Sequence, residues 1–483
     1  MATVTGSRAG VGARLAAGLV HLLTGRGVTL IAQFVTLAIM GRALGPSDFG
    51  IIQLGVAVFV YVGFVNDLGL TLLGARDVDA RDSGEALSGD LLGMRLALTA
   101  LALAPIVIVL VIAPVADAGR SVAAILAVGF AVSALNLRWL LQAKERFVWI
   151  AAADTAGSVV QLLLTLLLVR GSHDLVGAAI AVISGPVTST LVMGLVAPID
   201  GALRPRFRAQ GRQLLRRALP LGIATIATAV YYSLDSILLG LFRGSEDVGY
   251  YAAAYRIVLA CLTLPFVAHA ASLPIVAKLI HRDPESVTPV LESLSKYVLM
   301  LAAPIAVGTT LCATPIVRLA FGPAFEASAV PLRILIWTCV SVSANVPFAV
   351  LMLARHRDRA YMTTTIAGAA ANATANVAMI PLFGMVGAGA TTMVAEVLVL
   401  VSIIWITRDV SISVLRKSVM TVAPPTALMA LVIAPIRDSI VAVPIGLLVF
   451  AFGALILHSV RLSEVRSFAA ALRGPAATPE APA

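Results

Sequence analysis

Charge is scarce in this chain. Of its 483 residues only 12% are Asp, Glu, Lys or Arg, about half the share of a typical soluble protein. So few charges cannot cover the core of a soluble enzyme, which excludes an ordinary cytosolic protein, a nucleic-acid binder and a disordered chain. Cysteine is nearly missing. Cys261, Cys312 and Cys339 each fall in an apolar run, which argues against a disulfide framework or a thiolate metal site and reads them as small packing residues. Histidine is sparse and scattered: His21, His173, His269, His281, His356 and His458 show no ligand spacing, so metal catalysis has no support. Aromatic residues are 6%, few for a cavity that would bind flat cationic drugs. No cleavable signal peptide is expected, because the basic N-terminal stretch runs straight into the first apolar segment.

What is present is apolar length. Hydrophobic residues make up 59% and the mean hydropathy is +0.98. Continuous runs of roughly 20 residues predict membrane-crossing helices, because alternating strands of a barrel would look different. Fourteen are expected, near 18–41, 50–73, 91–113, 121–142, 149–169, 175–197, 218–241, 249–275, 293–316, 328–353, 361–381, 386–407, 415–435 and 440–459. Cytoplasmic loops collect Lys and Arg. With both termini inside, 26 of the 35 basic residues fall on the inner side, 7 on the outer side, and Arg26 and Arg256 within spans. This bias accounts for the net charge of +10 without a nucleic-acid partner.

A motif recurs. GRALGPSDFG at 41–50 returns as GLFRGSEDVG at 240–249, so Gly41, Gly45, Asp48 and Gly50 match Gly240, Gly244, Asp247 and Gly249 at an offset of 199. Pro105 and Pro304 share that offset, and VGAA at 176–179 resembles VGAG at 386–389 at an offset of 210. Six helices separate equivalent points, so the halves have the same orientation and form a parallel repeat. The expected organisation is an N-lobe at 1–197, a basic cytoplasmic linker at 198–217, a C-lobe at 218–407, two further helices at 408–460 and a tail at 461–483 whose end is disordered. The linker, PIDGALRPRFRAQGRQLLRR, suits an interfacial helix that anchors to lipid or meets an anionic headgroup.

Arg26, Asp67, Asp154, Asp235, Arg256 and Glu396 fall well inside spans. An Arg or Asp at a helix centre costs about 2.5–3.5 kcal/mol on insertion scales, so such groups face water or each other. Arg26 and Asp67 lie at similar depths, roughly 12–13 Å from the inner face; Asp235 and Arg256 lie roughly 10 Å from the outer face. Two alternatives stay open. The four form two ion pairs that fix helix registry, or they line a wet cavity whose arginines hold phosphate. Asp154 reads as a helix cap. Glu396 reads either as a protonatable coupling site or as a neutral hydrogen-bonded acid. Asn372 and Asn376 share one helix face at i, i+4; interhelical hydrogen bonding and sugar recognition are their two candidate roles.

Taken together, LGPSDFGIIQL, DLGLTLLGARDVDA and the segment 218–257, with Asp235, Gly249–Tyr250 and Tyr255–Arg256, resemble Wzx-type polysaccharide flippases. These belong to the multidrug/oligosaccharidyl-lipid/polysaccharide exporter superfamily. The resemblance implies an all-α membrane transporter, not an enzyme, with two six-helix lobes and two C-terminal helices. It implies alternating access, with a polyprenyl-diphosphate-linked oligosaccharide carried from the cytoplasmic to the outer leaflet of a bacterial-type inner membrane. Arg26 and Arg256 would contact the diphosphate, with Asp67, Asp235, Asn372 and Asn376 around the cavity and Glu396 as the coupling candidate. No cofactor is implied beyond an ion gradient or membrane potential. Membrane lipids and glycan-assembly proteins are the implied partners. The alternatives are a cation-coupled multidrug antiporter and a lipid II flippase.

Overall fold

The computed structural model describes residues 3–77, 84–112, 117–197, 205 and 211–460. Most of the expected linker and the whole tail at 461–483 lie outside the described residues. The described chain is helical throughout. Its helices are α1 (Thr3–Asp67), α2 (Leu70–Asp77), α3 (Gly84–Ile112), α4 (Asp117–Ser133), α5 (Arg138–Ala143), α6 (Phe147–Leu168), α7 (Leu175–Val196) and α8 (Gly211–Phe242). They continue with α9 (Ser245–Arg282), α10 (Val287–Leu311), α11 (Ala313–Phe321), α12 (Ala329–Leu335), α13 (Trp337–Ala354), α14 (Asp358–Ile406), α15 (Arg408–Ile433) and α16 (Ala442–Ile456). Lipid offers no hydrogen bonds, so apolar runs of this length must satisfy their backbone internally, and the α-helix does so.

Ten helices among the described residues are long and apolar enough to cross a membrane, against the fourteen expected. Two of the ten, Thr29–Asp67 and Asp358–Ile406, contain sharp breaks at Gly45 (φ 76°, ψ 172°) and Gly384 (φ 56°, ψ −136°). The apolar α16 has only 15 residues. The exteriors of these helices are greasy: Leu195, Val111, Ile31 and Trp405 are exposed, as suits a protein whose solvent is hydrocarbon.

The glycine breaks organise one end of the molecule. Gly45 and Gly244 (φ 95°) both adopt left-handed backbone, which only glycine enters without strain. Pro46 then starts the second leg of α1, and Glu246 and Asp247 occupy the first turn of α9; Pro and acidic residues both favour helix starts. The two turns touch reciprocally. A Cβ on Gly50 would overlap the Ser245 carbonyl, and a Cβ on Gly249 would overlap that of Pro46. These four residues are pairwise related by the same offset of 199.

Each turn also carries an acid that meets a second loop. Asp48 Oδ2 accepts from the backbone N–H of His173 at 3.1 Å. The Asp247 carboxylate lies against Gly384, where a Cβ would come within 2.8 Å of its Oδ2. Arg243 donates to the carbonyls of Ile380, Pro381 and Leu382, and Arg42 to those of Leu319 and Ala320. Cations at helix C-termini complement both the free carbonyls and the dipole. Phe34, Phe49, Tyr250, Phe321 and Phe325 fill this end, with ring centroids 5.5–6.2 Å apart. At the opposite end the halves meet again, where a Cβ on Gly222 would fall 2.5 Å from the Leu68 backbone.

Candidate functional site

Between these two contacts lies Arg256, in the fourth turn of α9. Its Nη2 donates to Gln53 Oε1 at 3.1 Å, across to the second leg of α1. Gln53 is 5% exposed. Tyr255, its neighbour in sequence, stacks on Tyr251 with centroids 5.8 Å apart and ring planes 11° from parallel. The guanidinium therefore sits at the boundary of the two halves and meets a neutral partner.

Asp235 on α8 is not that partner. It is 2% exposed and its Oδ2 accepts from the Tyr251 hydroxyl and from Thr392 Oγ1, the latter at 3.3 Å. Its Oδ1 has no hydrogen-bond partner among the described residues. No ion pair to Asp235 occurs among the described residues, so the expected Asp235–Arg256 pairing is not formed. The two share a depth but not a face.

The network around Asp235 continues through both asparagines. Asn372 Nδ2 donates to Thr392 Oγ1 at 3.4 Å, Asn376 Nδ2 donates to Asn372 Oδ1 at 3.1 Å, and Thr391 Oγ1 donates to Asn376 Oδ1. Asn372 and Asn376 are buried. Their side chains are engaged with one another and with the opposite leg of α14, which the break at Gly384 folds back alongside. Both asparagines thus take part in hydrogen bonds between the two legs of α14. Glu396, on the second leg of α14, lies within electrostatic reach of Tyr361 on the first.

In the first half the side chain of Arg26 lies outside the described residues. Asp67 instead meets Arg95, whose Nη2 stands 4.0 Å from Oδ1. Asp67 also accepts from the backbone N–H of Thr71 at 3.2 Å and from its hydroxyl. Arg95 is 7% exposed and gives Nη1 to the Asn136 carbonyl at 2.8 Å, while its Nε finds no partner. Arg95 lies four residues inside the span expected at 91–113, and that position accounts for its burial. Asp154 is no helix cap either. α6 begins at Phe147 with Arg146 in the cap position, and Asp154 pairs with Arg138 at 2.6 Å and accepts from Ser189 at 3.0 Å.

The fold and site together define a multi-pass membrane protein whose crossing helices carry buried polar clusters, one of which, Arg256 with Gln53, joins α9 to α1. Residues 15–280 match the family described as Polysaccharide biosynthesis protein, more than half of the chain, and the chain belongs to that family. A curated relative, the probable flippase AglR of Haloferax volcanii, is 26% identical over 257 residues, 51% of this chain and 52% of that one. The chain thus spans about half the length of that relative. Among solved structures it is similar to the lipid II flippase MurJ in an inward closed conformation, with TM-score 0.75 at 13% identity, over 91% of this chain and 99% of that one. An inward-facing multidrug resistance MATE family transporter gives TM-score 0.62 at 16% identity, over 80% and 96%. At these identities the two structures establish the shared fold.

Proposed function

We propose that this chain is an alternating-access flippase that moves a polyprenyl-diphosphate-linked oligosaccharide from the cytoplasmic to the outer leaflet of a bacterial-type plasma membrane, for cell-surface polysaccharide synthesis. The observation that carries this reading is Arg256. A guanidinium within a membrane-crossing helix is costly, and this one is bonded at the seam to a neutral amide rather than a carboxylate. Its charge is therefore available to an anionic ligand, and its planar fork matches phosphate oxygens. The family membership and the likeness to a protein named as a probable flippase support the same reading. Lobes 1–197 and 218–407 would rock about the seam, with both termini cytoplasmic. Arg26 would add a second cation, and glycan-assembly proteins would supply and receive the substrate. A drug antiporter is a poorer match, because an arginine without a carboxylate repels cationic drugs.

The driving force in this proposal enters at Asp235 rather than Glu396. A buried carboxylate with one unbonded oxygen and a ring of hydroxyls and amides calls for a mobile counter-charge, a proton or a small monovalent cation drawn from an ion gradient.

Replacement of Arg256 by Ala tests the function. The variant should reach the membrane at the normal level and transfer lipid-linked glycan to the outer leaflet at least tenfold more slowly, roughly the loss of one charge-assisted hydrogen bond. Leaflet-selective labelling of the glycan in proteoliposomes measures this. Transfer at the unmodified rate would remove Arg256 from the substrate path.

A further inference from the structure

We infer that Gln53 is a positioning residue that aims Arg256 at a diphosphate headgroup only while the glycine turns of the two halves are in contact. The inference rests on the function proposed above and adds a regulation to the same site.

The argument starts from height along the helices. Gln53 follows Gly50 by three residues and Arg256 follows Gly249 by seven, so they lie roughly 4.5 Å and 10 Å beneath the turn contact. That contact is made backbone to backbone. Side chains on Gly50 or Gly249 would occupy the space of the Ser245 and Pro46 carbonyls, and Ser47 Oγ stands 3.3 Å from Ser245 Oγ. Because Gln53 belongs to α1 and Arg256 to α9, parting the turns pulls the amide away from the guanidinium.

The chemistry of the tie decides what it does while it holds. A guanidinium has five N–H donors in a rigid fork. Gln53 occupies one of them through Oε1, and an edge with two parallel donors is left for two phosphate oxygens. A glutamate at this position would hold the fork as well, but would cancel its charge. A leucine would leave the charge and release the fork to its many rotamers. The amide alone fixes direction and keeps the charge. Affinity for the headgroup is then high with the turns joined and low with them apart. By linkage, the headgroup must favour the joined state to the same degree.

The test uses the full chain with Cys261, Cys312 and Cys339 replaced by Ala and the pair S47C/S245C introduced, in nanodiscs. At that separation the new thiols are within reach of a disulfide. Undecaprenyl diphosphate is the probe, with undecaprenol and inorganic pyrophosphate as further arms. With Gln53 present, the diphosphate lipid should raise the rate of crosslinking about fivefold, and the crosslinked protein should bind it about fivefold more tightly. In Gln53→Leu, affinity should fall about tenfold and crosslinking should no longer change it; Gln53→Glu should bind more weakly still. Crosslinking of both variants without lipid checks that they fold. Pyrophosphate acting alone would assign the effect to the diphosphate, and action by the lipid alone would assign it to headgroup and tail together. Either supports the inference, whereas an equal effect of undecaprenol overturns it. Undiminished linkage in Gln53→Leu overturns it as well. Failure of the Gln53 protein to bind the diphosphate lipid, or undiminished binding by Arg256→Ala, would instead remove the proposed function. Binding that needs Arg256 but ignores Gln53 would remove this inference alone.

Discussion

In the first half of the chain a half-buried acid meets a buried cation: Asp67 stands 4.0 Å from Arg95, which is tied in turn to the Asn136 carbonyl. In the second half the acid Asp235 meets, among the described residues, hydroxyls and, through them, amides. Both clusters place a carboxylate in a helix that crosses a membrane, where an uncompensated charge is expensive. The first half carries its compensation covalently, on α3. Among the described residues the second half holds no such cation, and the proposal above gives that place to a mobile charge. A fixed counter-ion suits a scaffold, and a missing one suits a switch.

The sharpest way to break this comparison is to neutralise each acid in turn. Asp235→Asn keeps an acceptor for Tyr251 and Thr392 and removes a buried charge. It should leave the melting temperature unchanged or higher, yet lower gradient-driven transfer of the lipid-linked substrate at least tenfold and make the residual rate independent of the gradient. Proteoliposomes with and without an imposed proton or sodium gradient separate these outcomes. A variant that still responds to the gradient would assign coupling elsewhere, and Glu396 would return as the candidate.

The converse change belongs to the first half. Arg95→Met keeps much of the side-chain volume but leaves Asp67 without its cation. Removing one member of a buried ion pair costs about 3–5 kcal/mol. Here about 2 kcal/mol is expected, since Asp67 is 26% exposed and keeps its bonds to Thr71 and solvent screens what is exposed. The melting temperature in detergent should drop by several degrees, while the response of the folded fraction to an ion gradient stays intact. A lost gradient response in Arg95→Met would show that both clusters couple and would dissolve the contrast.

This contrast was only partly legible in the sequence. The repeated turn was readable, because a left-handed break leaves glycine little competition: Gly45 and Gly244 are conformationally required and stand out at one offset. Arg256 was readable because a lone arginine in an apolar run has few explanations. Partners were harder. Rise per residue gives the height of a group but not the side of the bundle it faces. Asp235 and Arg256 share a height and diverge in direction, towards Tyr251 and towards Gln53. Arg95 was hidden by its closeness to a loop, where a basic residue ordinarily marks the inner face. The break at Gly384 was readable as the gap between the expected spans 361–381 and 386–407, but spacing alone does not show that it sets Thr392 against Asn372.

The smallest expected effect sharpens the comparison at its edge. Asn136 binds Thr190 at 3.4 Å, a long bond. Its Oδ1 already accepts from the Arg138 backbone at 2.8 Å, and its own carbonyl accepts from Arg95. Thr190→Val therefore removes one weak link from a residue pinned at two other points, and should cost about 0.6 kcal/mol, the usual value for a hydrogen bond between membrane helices. Thr392→Val is the matching change in the second half, where one hydroxyl serves both Asp235 and Asn372 and no cation stands behind it. It should alter the gradient response as well as the melting temperature. Equal, purely structural costs at the two positions would mean that the hydroxyls around Asp235 serve as packing, and that its counter-charge must be sought outside this network.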